Sequence, residues 1–551
     1  MCAPTRSWSD APEPRAPLNL LLLVAEDMSA RVGAFGDPVA ATPNLDRLAR
    51  EGTRFTRVFT AAPVCAPSRA ALVTGLHPIS IGAQHMRTSS RPAGGYAAVP
   101  PPEVKAFPEL LRRAGWFTFT DAKLDYQFSG VWSGTGPSTI WSREGASASW
   151  RERTHDEQPF FGLLNFGVTH ESGVFPALFE AWPHSAAHLF MQLARAWVYG
   201  IPDEVDPALA ARIEVPPSYP DTPSVRRDLA RHYANIQQMD AQVGEILAQL
   251  EADGLADSTL VVWTTDHGDG LPRSKRDLTD GGLHVPLIVR WPEARRPPER
   301  EPGDVDDRLV SFVDIAPTLL AQAGLEPPPW QHGRSFLGDT ALPRRLVFAS
   351  RDRVDRFPDR ERAVRDARFG YIWSAHPETP NGHPLAFRDN IEMVREMRAL
   401  YEAGSLDAAQ RQWFEPTGRE RLYDLETDPH EVRNLVDSPA HAQVLARMRR
   451  ALADWQARVP DWSLESEAAM VERMWPGGVQ PVTAPPSIRR REERVELACA
   501  TPGASIEYRI GEGPWRVYAG PFEADGARVT ARAVRYGYAP SDEVEGSPGT
   551  S

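Results

Sequence analysis

The chain holds only three cysteines in 551 residues, Cys2, Cys65 and Cys499. They are too few and too scattered for a disulfide framework or a zinc site. Long apolar runs are missing as well. The first, "LNLLLLVAED" (18–27), is too short to span a bilayer and ends in two acids. The stretch before it, "MCAPTRSWSDAPEPRAP", is polar and proline-rich and lacks the apolar core of a signal peptide. Cys2 has no apolar leader, which argues against a lipoprotein anchor. As written, the sequence reads as cytoplasmic, and as secreted or periplasmic if its N-terminus is incomplete. An excess of positive charge is also absent. With 61 Lys and Arg against 74 Asp and Glu, the formal net charge is −13. That argues against a nucleic-acid partner, which would want a basic face, and implies no anionic membrane surface.

What is present is ample material for a core, with 42% hydrophobic and 25% charged residues. The length predicts two or three domains. Four runs read as strands that end in chemistry. "LNLLLLVAED" (18–27) is continuously apolar, the pattern of a strand buried on both faces, and stops at Glu26 and Asp27. "GWFTFTDAK" (115–123) ends at Lys123, "QPFFGLLNFGVTH" (158–170) at His170, and "STLVVWTTDHGDG" (258–270) reaches Asp266 and His267. Helical patterns lie between them, the clearest over 223–254, with Pro at its start and Gly254 at its end. Alternating strands and helices predict an α/β fold, a mostly parallel sheet sandwiched by helices. Its ligand site belongs beyond the carboxyl ends of the strands. Acids and lysines that merely follow strands into solvent would explain any one of these residues, but explain all four sets less well.

Glu26, Asp27, Asp266 and His267 make a donor set suited to a divalent cation. The carboxylates favour Ca²⁺ or Mg²⁺, while the imidazole leaves room for Mn²⁺ or Zn²⁺. Lys123 and His170 would face an anion bound to that metal. A cysteine at a helix start, Cys65, would have its thiolate favoured by the helix dipole and by Arg69. On its own it could equally be a buried structural thiol.

The surroundings of Cys65 carry more. "TPNLDRLAREGTRFTRVFTAAPVCAPSRAALVTG" resembles the type I sulfatases of the alkaline phosphatase superfamily, in which Cys-x-Pro-Ser-Arg marks the cysteine converted to formylglycine. The likeness continues through "LLLVAEDM", "KLDYQF", "FFGLLNFGVTH", "TTDHGDGLPRSKRDLTDGGLHVPLIVRWP", "SFVDIAPTLLAQAGL" and "LYDLETDPHEVRNL", about residues 17–455. "PDTPSVRRDLARHYANIQQMDAQVG" is most similar to the branch containing heparan N-sulfatases.

The resemblance implies a sulfatase acting on a sulfated small molecule or saccharide, matured by a formylglycine-generating enzyme. Its implied cofactors are formylglycine at Cys65 and a divalent metal, Ca²⁺ first, with Mg²⁺ or Mn²⁺ as alternatives. The hydrate of the modified residue would attack sulfur and later expel sulfate. By matching position, Glu26, Asp27, Asp266 and His267 would hold the metal, and Arg69 and Lys123 the formylglycine. His170 and Lys275 would bind sulfate oxygens and assist the leaving group. Three departures stand out: Glu26 where most sulfatases have Asp, His267 where Asn is commoner, and Asp125 where many have His. Asp125 is a candidate base or a structural residue. His85 and Arg87 are candidates for the substrate cleft. His77, His284 and His332 read as structural.

The expected organisation is a catalytic domain over 17–338, a smaller C-terminal α+β subdomain over 339–462, a linker over 463–486, and a small appended β-sandwich over 487–547. Val495, Leu497 and Cys499 share one face there, which makes Cys499 a core thiol. The module could hold carbohydrate or cap the catalytic domain, and the cap is the reading favoured. The rival functions are a phosphonate or phosphate ester hydrolase on the same scaffold and a non-catalytic glycan-binding protein.

Overall fold

The computed structural model describes residues 18–91, 93–176, 186–198, 205–338, 343–491 and 494–546. Cys2 and the leader reading lie outside them, as do the junction at 339–342 and the last residues of the appended module.

The strands Asn19–Ala25 (β1), Thr53–Phe59 (β2), Phe117–Thr120 (β3), Arg143–Glu144 (β4), Phe160–Phe166 (β5), Thr259–Thr265 (β6), His284–Arg290 (β7), Val305–Asp306 (β8) and Val310–Ser311 (β9) form one sheet. Its order is β4-β3-β5-β1-β6-β7-β2-β8, with β9 also on β2. From β4 to β6 all neighbours are parallel, and β7 alone runs antiparallel to both its neighbours. The fold is thus α/β with a mostly parallel sheet.

The apolar run of β1 has a simple cause. Leu21, Leu23 and Ala25 enter one core, while Leu20, Leu22 and Val24 enter the other. Strand β6 does the same, with Val261 and Trp263 on one side and Leu260 and Val262 on the other. Period-two alternation places side chains on both faces, and both faces are covered, so the middle of each strand is apolar, with Asn19 opening β1 and threonines at the ends of β6. The helices Pro43–Glu51 and Pro223–Ala252 cover the first face. Cys65–Thr74, Phe107–Arg113 and Ile315–Gln322 cover the second. The 30-residue helix Pro223–Ala252 is capped by Thr222, whose hydroxyl accepts from the Val225 N–H.

Beyond this body, strands Val347–Arg351, Glu361–Arg365, Phe369–Ser374 and Glu420–Asp424 form an antiparallel sheet in chain order. The helix Ala442–Arg458 packs on it through Leu445, Met448, Leu452 and Trp455. Residues 463–486 differ from the linker expected there. They contain the helix Glu467–Met474, whose Met470, Val471 and Met474 pack with Tyr96. The apolar face of that helix was hidden behind the proline and glycine composition that follows it.

Two small antiparallel sheets close the chain, one from Ser487–Arg491, Arg494–Ala498 and Phe522–Glu523, the other from Ser505–Ile510, Arg516–Val517, Val529–Val534 and Val544–Gly546. Val495, Leu497, Ile506, Val529 and Ala531 share their core. Cys499 is only half-buried at its edge, with its thiol 3.1 Å from the Ala484 carbonyl. The module is bound to the main body by buried polar contacts. Arg112 Nη1 lies 2.7 Å from Glu507 Oε1, and the Tyr536 hydroxyl donates to Glu109 at 2.7 Å. Among the described residues, no helix is long and apolar enough to cross a membrane.

Candidate active site

The four strands that end in chemistry, β3, β5, β1 and β6, are consecutive in the sheet. Their carboxyl ends therefore deliver Lys123, His170, Glu26 and Asp27, and Asp266 and His267 to one place. The Cys65 thiol joins them from the first residue of the helix Cys65–Thr74, where free N–H groups favour negative charge. Its Sγ is 3.4 Å from His267 Nε2 and 3.7 Å from Asp27 Oδ1. Donor atoms of Asp27, Cys65, Asp266 and His267 all lie within 4.8 Å of one another, and so do those of Glu26, Asp27, Cys65 and His170.

Asp27 is the centre of the cluster. Its φ of 49° is left-handed, a conformation that Asp tolerates better than most residues. One carboxylate oxygen is 3.1 Å from His267 Nε2. The other accepts from Lys275 Nζ at 2.6 Å and from the Glu171 N–H at 2.7 Å. Gly270 allows this crowding, because a Cβ there would fall 2.7 Å from Glu171 Cα and 3.1 Å from Asp27 Oδ2. Asp266 Oδ1 accepts from the N–H groups of Asp27 and His267, both at 3.0 Å. Arg69 braces the opposite oxygen of Asp266 at 3.1 Å and also reaches Asn165. Lys123 Nζ is 2.5 Å from Glu26 Oε2. His170 turns Nδ1 to the Ser172 hydroxyl at 2.8 Å and Nε2 to Lys275 at 3.4 Å.

The electrostatics follow from that packing. Burial pushes the Asp27 carboxyl up, but Lys275, His170 and His267 outweigh it and hold it well below the usual carboxylate range. Asp266 is held down in the same way by His267 and Arg69 against its burial. Burial likewise raises the Cys65 thiol, yet Lys123 and Lys275 bring it to about 6. His267 runs opposite: burial lowers it, while Asp266 and Asp27 raise it to about 10.

The donor set fits a divalent cation. Asp27 and Asp266 are buried carboxylates held ionised, with His267 forced toward the imidazolium form between them. A metal ion among them would supply positive charge between the two carboxylates in place of a proton on His267, leaving its nitrogen free to ligate.

Arg87 and Asp125 stand beside this cluster as an ion pair, and Arg87 lines the cleft that opens over Lys123 and His170. His85, expected in that cleft, does not line it. It is buried with Nε2 turned toward Glu467 at 3.9 Å, and burial lowers its imidazole to about 4. His77 and His332 pack ring against ring, and His284 Nε2 meets the Thr56 carbonyl at 2.7 Å. Sequence reading missed Glu171, which lies 3.0 Å from Lys275 and pairs with Arg276. It also missed Asn165, which couples Arg69 to Asp121. Glu171 directly follows His170, so proximity to a strand end was the available signal.

The sulfatase family model matches residues 18–325, more than half of the chain. This chain belongs to the sulfatase family. Family membership together with the candidate metal site makes it a sulfuric ester hydrolase. An ulvan-active sulfatase of Formosa agariphila is 37% identical, with 96% of this chain and 91% of that protein covered. The human N-sulphoglucosamine sulphohydrolase is 28% identical over 84% of this chain and 94% of that protein. Sulfatase likeness thus extends across enzymes named for different substrates, and the heparan N-sulfatase branch is not singled out. Among solved structures, a 2-O GAG sulfatase superposes with a TM-score of 0.56 at 19% identity, covering 82% of this sulfatase and 96% of that chain, which shows the shared fold.

Proposed function

We propose that this sulfatase removes sulfate from an O-sulfated carbohydrate, using Cys65 matured to formylglycine and a bound divalent cation. The observation that carries the reading is the seating of Cys65. Its Sγ lies within 4 Å of both Asp27 and His267, at a helix start, inside an intact Cys-Ala-Pro-Ser-Arg motif. A structural thiol needs neither the two ammonium groups nor the ring of carboxylates around it.

Glu26, Asp27, Asp266 and His267 would hold the cation, with Ca²⁺ favoured by the carboxylates and Mg²⁺ or Mn²⁺ compatible with the imidazole. When bound, it supplies Lewis-acid charge to the sulfate oxygens and to the nucleophile that maturation creates at residue 65. Arg69 keeps Asp266 in register. Lys123 and Lys275 offer fixed positive charge to an anionic sulfuryl group as negative charge builds on it. His170, whose Nδ1 meets the Ser172 hydroxyl, lies beside Lys275, and this pair would give a proton to the leaving oxygen as its bond to sulfur breaks. Relatives named for ulvan, N-sulphoglucosamine and N-acetylgalactosamine-6-sulfate support a saccharide as substrate.

A panel of defined saccharides bearing single O- or N-sulfates, with sulfate release measured, tests the reading. Release from O-sulfated members by the protein co-expressed with a formylglycine-generating enzyme is the expected result. Release from N-sulfated members alone would move it to the N-sulfatase branch. Release from none, with aryl phosphonates turned over instead, would sink it.

A further inference from the structure

The cleft above Lys123 and His170 has a volume of about 690 Å³, much larger than a sulfate group needs. Its outer wall is apolar in an unusual way. Trp132 and Phe190 are 61% and 64% exposed, yet both line the cleft. Exposed large aromatics of this kind, grouped beside a reacting site, mark a binding surface rather than a stray surface position.

The aromatic side chains are tied to the site by different routes. Trp132 is paired across an antiparallel bridge with Lys123, and opposed residues in such a bridge project to the same side. Backbone bonds on either side, Leu124 N–H to Val131 O at 2.8 Å and Ser133 N–H to Ala122 O at 3.0 Å, hold that pairing. Phe190 and Ala194 share a face of the helix Ala186–Trp197, and Val198, just past its end, lines the same cleft. Phe387 continues the wall inward, its ring centroid 6.0 Å from that of His170. Gln242 and Glu245, from the helix Pro223–Ala252, add an amide and a carboxylate to the same cleft. An apolar platform with a few polar groups at its margin suits a sugar ring, which presents a C–H face to aromatics and hydroxyls to acceptors.

Building on the sulfatase reading, we propose that Trp132 and Phe190 form a stacking subsite. It receives the saccharide ring joined to the sulfated unit and so selects oligosaccharides over isolated sulfated monosaccharides. Binding there fixes the sulfated unit relative to Lys123 and His170 but takes no part in the chemistry.

The test compares kcat and KM on a monosulfated disaccharide, the matching sulfated monosaccharide and an aryl sulfate. The proteins are wild type, Trp132→Ala, Trp132→Phe and Phe190→Ala, with the inhibition constant for inorganic sulfate measured in each. Trp132 is exposed, so its truncation leaves the core intact. The expected result is a KM on the disaccharide raised about three- to tenfold in the alanine variants, with kcat, monosaccharide kinetics and sulfate inhibition unchanged. Trp132→Phe should recover part of the loss. Unchanged disaccharide KM in Trp132→Ala, or equal losses on monosaccharide and disaccharide, would overturn the subsite while leaving the sulfatase reading in place. No turnover of any sulfate ester by the wild type would overturn both.

Discussion

Arg87 holds Asp125 with both prongs of its guanidinium, Nη2 at 2.6 Å from one carboxylate oxygen and Nε at 3.0 Å from the other. A fork matched to a carboxylate in this way fixes orientation as well as charge. Burial would raise Asp125, but Arg87 keeps its carboxyl below the ordinary range. A carboxylate stabilised as an ion is a weak base. The geometry therefore favours Asp125 as the residue that aims Arg87 into the cleft.

If Asp125 acts through Arg87, the two substitutions will not add. Arg87→Ala and Asp125→Ala should each raise KM on a sulfated saccharide, and the double variant should be no worse than the more damaged single one, as expected of side chains in one contact. A multiplicative loss, or a fall in kcat at fixed KM in Asp125→Asn, would instead make Asp125 the base.

The second prediction concerns the cation. Chelation should abolish turnover while the far-UV circular dichroism stays native. Asp266→Asn, which keeps the shape of the side chain next to Arg69, should lose bound metal and activity together. Loss of metal charge stabilisation costs several kcal/mol, on the order of 10²-fold or more in rate. Metal analysis alongside kinetics checks this, and full activity in a metal-free sample would contradict it.

The third separates leaving-group assistance from sulfate binding. A positioned general acid contributes about 10²- to 10⁴-fold. His170→Ala or Lys275→Ala should lose most of that factor on a sugar sulfate, whose alkoxide leaves poorly, and much less on a nitrophenyl sulfate. Arg69→Ala should harm both substrates alike, because it braces Asp266. Equal losses at His170 and Lys275 on both substrates would confine these residues to binding.

The fourth concerns the appended module. Arg112 and Glu507 are buried and 2.7 Å apart, so Glu507→Ala leaves a buried guanidinium without its carboxylate. Breaking such a pair costs about 3–5 kcal/mol. Thermal unfolding should shift down or split into two transitions, with kcat/KM on an aryl sulfate preserved at lower temperature. An unchanged melting curve would mean the contact does not hold the module in place.

Much of this architecture is legible in the chain because the sheet is buried on both sides. The apolar run of β1 and the β-branched and apolar run of β6 announce strands, and their ends announce Asp27 and Asp266. Strand order is not legible, since β3, β5, β1 and β6 lie side by side through crossovers that leave no local pattern. Glu171 and Asn165 carry no periodic signal, as their importance comes from contacts with Lys275 and Arg69 made only on folding. Glu467 was concealed for another reason. It opens a short helix in a stretch whose later Pro and Gly residues dominate its composition, yet it pairs with Arg353 at 2.7 Å.

The most direct test of the central claim is mass spectrometry of the peptide carrying Cys65, from protein co-expressed with a formylglycine-generating enzyme, with sulfate release assayed on the same sample. The account predicts the mass deficit of a thiol-bearing methylene replaced by an aldehyde, with activity proportional to the converted fraction across preparations. Full sulfatase activity in protein whose Cys65 is wholly unmodified cysteine would contradict it.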